Sequence, residues 1–244
     1  MSLSVWGFAA SVRDAVLTRW WQWTVSRSLR SRGVRCGSGL RFYGSPIVSL
    51  EPGARVEIGA RTVLCSHPRF SALGVARPVV IRALTSHAVI RIGADVGISG
   101  GVICAASSIT IGNQCLLGAD VQVVDTDFHP LAAANRRFES DHRRIGSAPV
   151  VIEDNVFLGA GVRVLKGVRI GRNSVVGAGA IVTSDLPADV VAAGVPARVI
   201  GPLTRGTRDE PGANNPAPGA TRQEAVLQSS QSGIRRNEPS EWHG

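Results

Sequence analysis

The chain has 244 residues, 44% hydrophobic but only 5% aromatic, so one good-sized domain with a narrow core of Val, Ile, Leu and Ala is expected, with residues left over for tails. Its net charge of +9, carried by 26 Arg and the single Lys166, favours anionic partners such as phosphates, acidic glycans or membrane surfaces. With no apolar run of about 18 residues, no membrane-spanning helix is expected; no basic segment precedes an apolar run, so no signal peptide is expected; and none of Cys36, Cys65, Cys104 and Cys115 forms a CxxC pair, so they read as reduced thiols of a cytosolic protein.

Residues 5–31 predict a helix that Gly33 stops. Phe8, Val12, Ala15, Val16, Trp20 and Trp23 lie near one face, with Arg13, Arg19, Arg27 and Arg30 elsewhere. Two roles fit residues 1–35: a cap over the open first coil of a repeat structure, and a peripheral contact with anionic membrane that sets Trp20, Trp21 and Trp23 at headgroup level. From Cys36 to Leu64 a six-residue period begins in degenerate form, with Ile58 and Leu64 in phase and Val56 two places before Ile58. Residues 65–87 break it, with Pro68, Gly74 and Pro78 marking an irregular excursion in which His67 and His87 take loop or surface roles.

The period resumes with Ile92, Ile98 and Cys104, partnered by Ile90, Val96 and Val102. One extra residue is absorbed near Ser107 and Ser108, and Ile111, Leu117 and Val123 continue, partnered by Ile109, Cys115 and Val121. A loop of about 26 residues, 124–149, then interrupts the coils, and so long an insertion between regular elements points to function. From Val150 the pattern is strict: Ile152, Leu158, Val164, Ile170, Val176 and Val182 recur every six residues, each preceded two places earlier by Val150, Val156, Val162, Val168, Ser174 or Ala180. A period of six is neither that of a helix nor that of a lone strand, and predicts a prism-shaped parallel β-helix over residues 36–203 with three hexads per coil. After Val182, residues Val190, Val191, Val195, Val199 and Ile200 are expected to pack on the last coil, and the Pro-, Gly-, Ser- and Arg-rich residues 204–244 read as a disordered tail.

The loop motif DTDFHP, together with the ending VGAGAIVTSDLPADVVAAGVPARVI, resembles the hexapeptide-repeat acetyltransferases of the maltose and galactoside O-acetyltransferase type, and within them the colanic-acid-type enzymes of polysaccharide biosynthesis. The resemblance covers residues 36–202. It implies an all-β, left-handed parallel β-helix, a homotrimer with an active site between each pair of subunits, and acetyl-CoA-dependent O-acetylation of a sugar or glycan precursor. It implies His129 as the general base, taking the hydroxyl proton without a covalent enzyme intermediate, with Asp127 or Asp125 beside it to orient the ring or stabilise its charge; Asp127 is favoured. Ser99, Asp125 and His142 fall on the acceptor side, Ser99 standing where these enzymes often carry asparagine. Ala160 and Ala178, each in a GAG turn, match positions along the pantetheine arm, and Thr183 and Arg198 match contacts to the nucleotide end. Ser184 replaces a frequent lysine, and Lys166 falls near the same channel. No metal is implied: His67, His87, His129 and His142 lie in irregular segments rather than at matched coil positions, unlike the zinc histidines of a carbonic anhydrase on this fold. A fused sugar nucleotidyltransferase would need a preceding Gly-rich domain, and nucleic-acid binding has charge but no motif behind it. The alternative from another class is a non-catalytic β-helix adaptor, which would keep the hexads and need neither His129 nor the CoA-facing ending.

Overall fold

The structure is a computed structural model that describes residues 5–134, 136–139 and 141–203, the side chains of residues 5–13 and of His142 excepted; the tail expected from residue 204 lies outside the described residues. Short strands run in three sheets of six, eight and six strands, each strand pairing with the one a full coil away. Every pairing is parallel except the last, Val190–Ala193 with Arg198–Pro202. The hexad aliphatics explain this arrangement, because one inward residue per strand stacks on its equivalents above and below. Ile58, Ile92, Ile111, Ile152 and Ile170 form one column on the first sheet, and Leu64, Ile98, Leu117, Leu158 and Val176 form the second. All ten side chains are buried, and full burial of such an aliphatic is worth roughly 1.5–3 kcal/mol. The polar partner in the strict series, Ser174, is buried too, its hydroxyl donating to the Pro187 carbonyl at 2.8 Å.

The third column runs Val48, Ile81, Ile103, Val123, Val164, Val182, so Ile103 rather than Cys104 is the inward residue, and the strict six-residue count fails at this coil. Gly100 and Gly101, with φ of 66° and 88°, make the turn from Ser99 one residue tighter than its neighbours, and the chain regains the length before Ser108. A Cβ on Gly101 would stand 2.1 Å from the Val121 carbonyl oxygen. Gly101→Ala is therefore expected to lower stability by at least about 2 kcal/mol in thermal or denaturant melts; an unchanged midpoint would contradict this register. The irregular excursion also ends earlier than its composition suggests. Val80–Ala83 is a full coil strand, paired with Ile47–Leu50 and Val102–Ala105, because the alternating VVIRA buries Val79, Ile81 and Ala83.

The helix Val5–Ser31 lies against the first coil, where Gln22 donates to the Phe42 carbonyl at 3.2 Å and Arg69 pairs with Asp14 at 3.0 Å. Its buried side is Trp21, Val25 and Leu29, with Leu17 packed beside them, not the face through Val16, Trp20 and Trp23. Trp21, 7% exposed, meets the His67 ring at 5.6 Å and the edge of Phe70 at 5.8 Å, which draws the excursion under the helix. At the other end Val195, Val199 and Ile200 are exposed rather than packed on the last coil, since the closing antiparallel pair turns them outward. The four thiols are free; burial raises all of them, Cys104 and Cys115 to about 11. Among the described residues no helix is long and apolar enough to cross a membrane.

Candidate active site

Two edges of the prism carry the residues singled out from the sequence, and the third sheet lies between them. One edge, the glycine corner, joins the second sheet to the third. It stacks the turns after Gly97–Ser99, Leu116–Leu117, Phe157–Leu158 and Val175–Val176. The other, the loop corner, joins the third sheet back to the first and is where residues 125–149 leave the coils, between Gln122–Val124 and Val150–Ile152.

The neck of the loop is laced shut. Thr126 bridges Ser147 in antiparallel fashion, Asp127 N–H donates to the Gly146 carbonyl at 2.9 Å, and Ala148 N–H donates to the Asp125 carbonyl at 2.9 Å. The Asp125 side chain, 0% exposed, accepts from the N–H groups of Ala106 at 2.7 Å and Ser107 at 2.8 Å, so it pins the loop to the coil beneath. Burial pushes its carboxyl up while those amides pull it down, with burial prevailing. The acceptor contact expected of Asp125 is not made available here, because both oxygens are turned into the coil.

Asp127 departs from expectation as well. Its Oδ2 accepts from Lys166 Nζ at 2.5 Å rather than facing His129. Lys166, the one lysine in an arginine-rich chain, stands in the next turn of the loop corner and reaches up to the neck. Gly146 makes room for the pair, since a Cβ there would fall 2.6 Å from Nζ and 2.7 Å from Oδ2. Sequence reasoning missed Gly146 and the role of Lys166; the signals were the lone Lys and a glycine four residues before the coils resume.

Beyond the neck Phe128 takes φ of 62° and is exposed, and His129 follows it, also exposed. Arg136 folds back to the carbonyls of Pro130, Leu131 and Ala132, giving this limb its own internal brace. On the returning limb His142 opens the single turn His142–Arg144. Arg143 beside Asp141 holds that carboxyl down to about 2, and Arg144 pairs with Glu139 at 3.3 Å.

On the glycine corner, the Ser99 carbonyl accepts from Asp120 N–H at 3.0 Å, and Asp120 in turn accepts from Ala76 N–H with both carboxylate oxygens, at 3.1 and 3.0 Å. The excursion is thereby clasped over the Ser99 turn. Ala160 and Ala178 stack one coil apart above it. The ladder among the described residues runs through Gly161 N–H to the Ala119 carbonyl and Gly179 N–H to the Ala160 carbonyl, each 2.8 Å, and leaves the N–H groups of Ala160 and Ala178 out. A long ligand laid along this edge meets small side chains and backbone donors. Thr183 is exposed at the opposite edge of the Ile181–Val182 strand, at most about 18 Å along the chain from Ala178. Arg198 is exposed on the closing strand.

Ser99, Ala160 and the loop neck lie within about two coil rises of one another along the prism axis, about 10 Å, but on different edges. The structure therefore brings together Asp125, Asp127 and Lys166 at one edge and Ser99, Ala160 and Ala178 at the other, and does not join the two sets within the chain. Among the described residues no three His, Cys, Asp or Glu side chains could hold a metal ion.

Residues 149–184 match the family model described as hexapeptide repeat of succinyl-transferase. A galactoside O-acetyltransferase of Lactococcus lactis is 46% identical over 93 residues, 38% of this chain and 42% of the relative. A 2,3,4,5-tetrahydropyridine-2,6-dicarboxylate N-acetyltransferase of Staphylococcus aureus is 56% identical over 54 residues, 22% of this chain and 23% of that protein. The chain spans less than half the length of these curated relatives. Among solved structures, a hexapeptide-repeat acetyltransferase of Vibrio cholerae complexed with acetyl coenzyme A aligns over 82% of this chain and 91% of its own at 23% identity, with a TM-score of 0.46.

Proposed function

We propose that this chain, a hexapeptide-repeat protein related in sequence to galactoside O-acetyltransferases, transfers the acetyl group of acetyl-CoA to a hydroxyl of a sugar or glycan precursor, at sites built between copies of a homotrimer. The observation that carries the reading is the division of the candidate residues between two edges, with Ser99, the loop neck and Ala160 within about 10 Å of one another along the axis. A rotation about an axis parallel to the prism sets the loop corner of one copy against the glycine corner of the next with no shift along the axis, and such a contact closes into a ring. Exposed apolar side chains beside both edges suit burial in that contact: Phe128, Leu131 and Phe138 on the loop, Leu116 and Phe157 on the second sheet.

In this arrangement His129 accepts the proton of the acceptor hydroxyl while that oxygen attacks the thioester carbonyl. The new C–O bond forms, the C–S bond breaks, and the departing CoA sulfur takes up the proton. Ala160 and Ala178 offer backbone N–H groups to the pantetheine arm, while Thr183 and Arg198 meet the nucleotide end, Arg198 as a donor fork to phosphate. Ser99, under the clasped excursion, is assigned to the acceptor, and His142 keeps the acceptor-side role that its place in the sequence suggested. The neck residues Asp125, Asp127 and Lys166 hold the base in place without touching the reacting atoms.

The test is thiol release from acetyl-CoA across a panel of sugars and polysaccharide fragments. Acceptor-dependent release with an acetylated product supports the assignment. A chain that neither binds acetyl-CoA nor releases thiol with any acceptor overturns it in favour of a non-catalytic adaptor.

A further inference from the structure

The cap helix uses only one of its sides. Leu17, Trp21, Val25 and Leu29 recur every four residues and turn into the first coil. Val16, Trp20, Trp23, Arg27 and Arg30 form a second series, spaced four, three, four and three. At about 100° per residue that series lies roughly opposite the buried one. All five side chains are exposed, Trp20 at 56% and Trp23 at 68%, and Arg19 beside them is exposed too. Four of the chain's five tryptophans fall in this helix, in a protein with only 5% aromatic residues. The aromatic half of the stripe runs directly into its cationic half. The one acid of the helix, Asp14, faces Arg69 of the excursion.

We propose that this stripe is a docking surface for an anionic lipid layer, with the helix lying flat on the membrane and the coils standing away from it. The indole ring is amphipathic and partitions to the headgroup boundary, which is where an exposed Trp pair on a flat helix comes to rest. Arg27 and Arg30 follow on the same side, and the guanidinium fork fits lipid phosphate. The net charge of +9 adds long-range attraction to an anionic leaflet. The helix lies on the bilayer rather than spanning it, since its other side is committed to the coil and it is not apolar enough to cross. Pairing two copies across the stripe fits less well, because it brings Arg27 and Arg30 of both into one interface with only Asp14 on each helix to offset them.

The test is co-sedimentation of the full chain with vesicles of phosphatidylcholine containing one third phosphatidylglycerol, and with phosphatidylcholine alone. Binding is expected to the mixed vesicles, weakly or not at all to the neutral ones, and to fall as salt rises. The double variants Trp20→Ser with Trp23→Ser, and Arg27→Glu with Arg30→Glu, are each expected to lose about tenfold or more in vesicle affinity, with helical circular dichroism unchanged because all four sites are exposed. Failure of the parent to pellet with mixed vesicles overturns the proposal. So does equal pelleting of parent and variants, a Trp variant that changes oligomer size instead, or loss of retention on an acidic polysaccharide without any vesicle effect.

Discussion

His129→Ala is expected to lower acceptor-dependent turnover by at least about a hundredfold and to leave acetyl-CoA binding in place. A positioned general base contributes on the order of 10²–10⁴ in rate, and His129 is exposed just beyond the neck of the loop, at the edge proposed to meet a neighbouring glycine corner. Its removal should disturb nothing else, because its exposed side chain contributes little to the packing. The melting midpoint of the variant is accordingly expected to match the parent, and kcat rather than KM for acetyl-CoA carries the loss. A variant that keeps more than about a tenth of the parent's rate would remove His129 from the role of base.

Asp125→Ala is expected to have the opposite signature, with stability falling first and activity following. The substitution strands the N–H groups of Ala106 and Ser107 in a buried corner where each now meets an oxygen at 2.7 and 2.8 Å. An unsatisfied buried donor costs about 1–3 kcal/mol, so a loss of roughly 2–5 kcal/mol is expected in denaturant melts, with turnover falling because the loop neck loosens. Asp125→Asn keeps one acceptor oxygen and turns an NH₂ toward the other amide, so its loss should be intermediate. The burial that raises the Asp125 carboxyl offsets part of the gain from the two bonds. If Asp125→Ala melts like the parent while activity disappears, the residue touches substrate after all and its structural assignment here is wrong.

The period of six made the coils readable because each coil presents the same three inward positions, and an aliphatic at the wrong place costs burial at once. That logic is local, so it followed Ile152 to Val182 without error and failed at Cys104, where the left-handed pair Gly100 and Gly101 shortens a turn and hands the inward place to Ile103. The helix was readable as a helix, but not its buried side. Three tryptophans within four residues fill every side, and only the shape of the open coil selects Trp21 over Trp20 and Trp23. At the loop, DTDFHP suggested partners for the two aspartates other than those the fold gives them. Asp125 and Asp127 stand beside His129 in sequence, yet Asp125 is drawn to the corner below and Asp127 to Lys166, 39 residues away. Charges find partners through the fold, and a motif read along the chain cannot see a lysine one coil away.

The most direct test of a site shared between copies is complementation. His129→Ala copies keep an intact glycine corner; Ala178→Trp copies keep the base but block the exposed turn where the pantetheine arm would lie. Each variant alone is expected to be inactive. Unfolded or dissociated together in equal amounts and reassembled, they should form mixed rings in which about a quarter of the sites join an intact loop to an intact glycine corner, with activity near a quarter of the parent's. No recovery in mixed rings, with both variants folded and assembled, would mean that loop and glycine corner act within one copy, and the shared-site account would be contradicted.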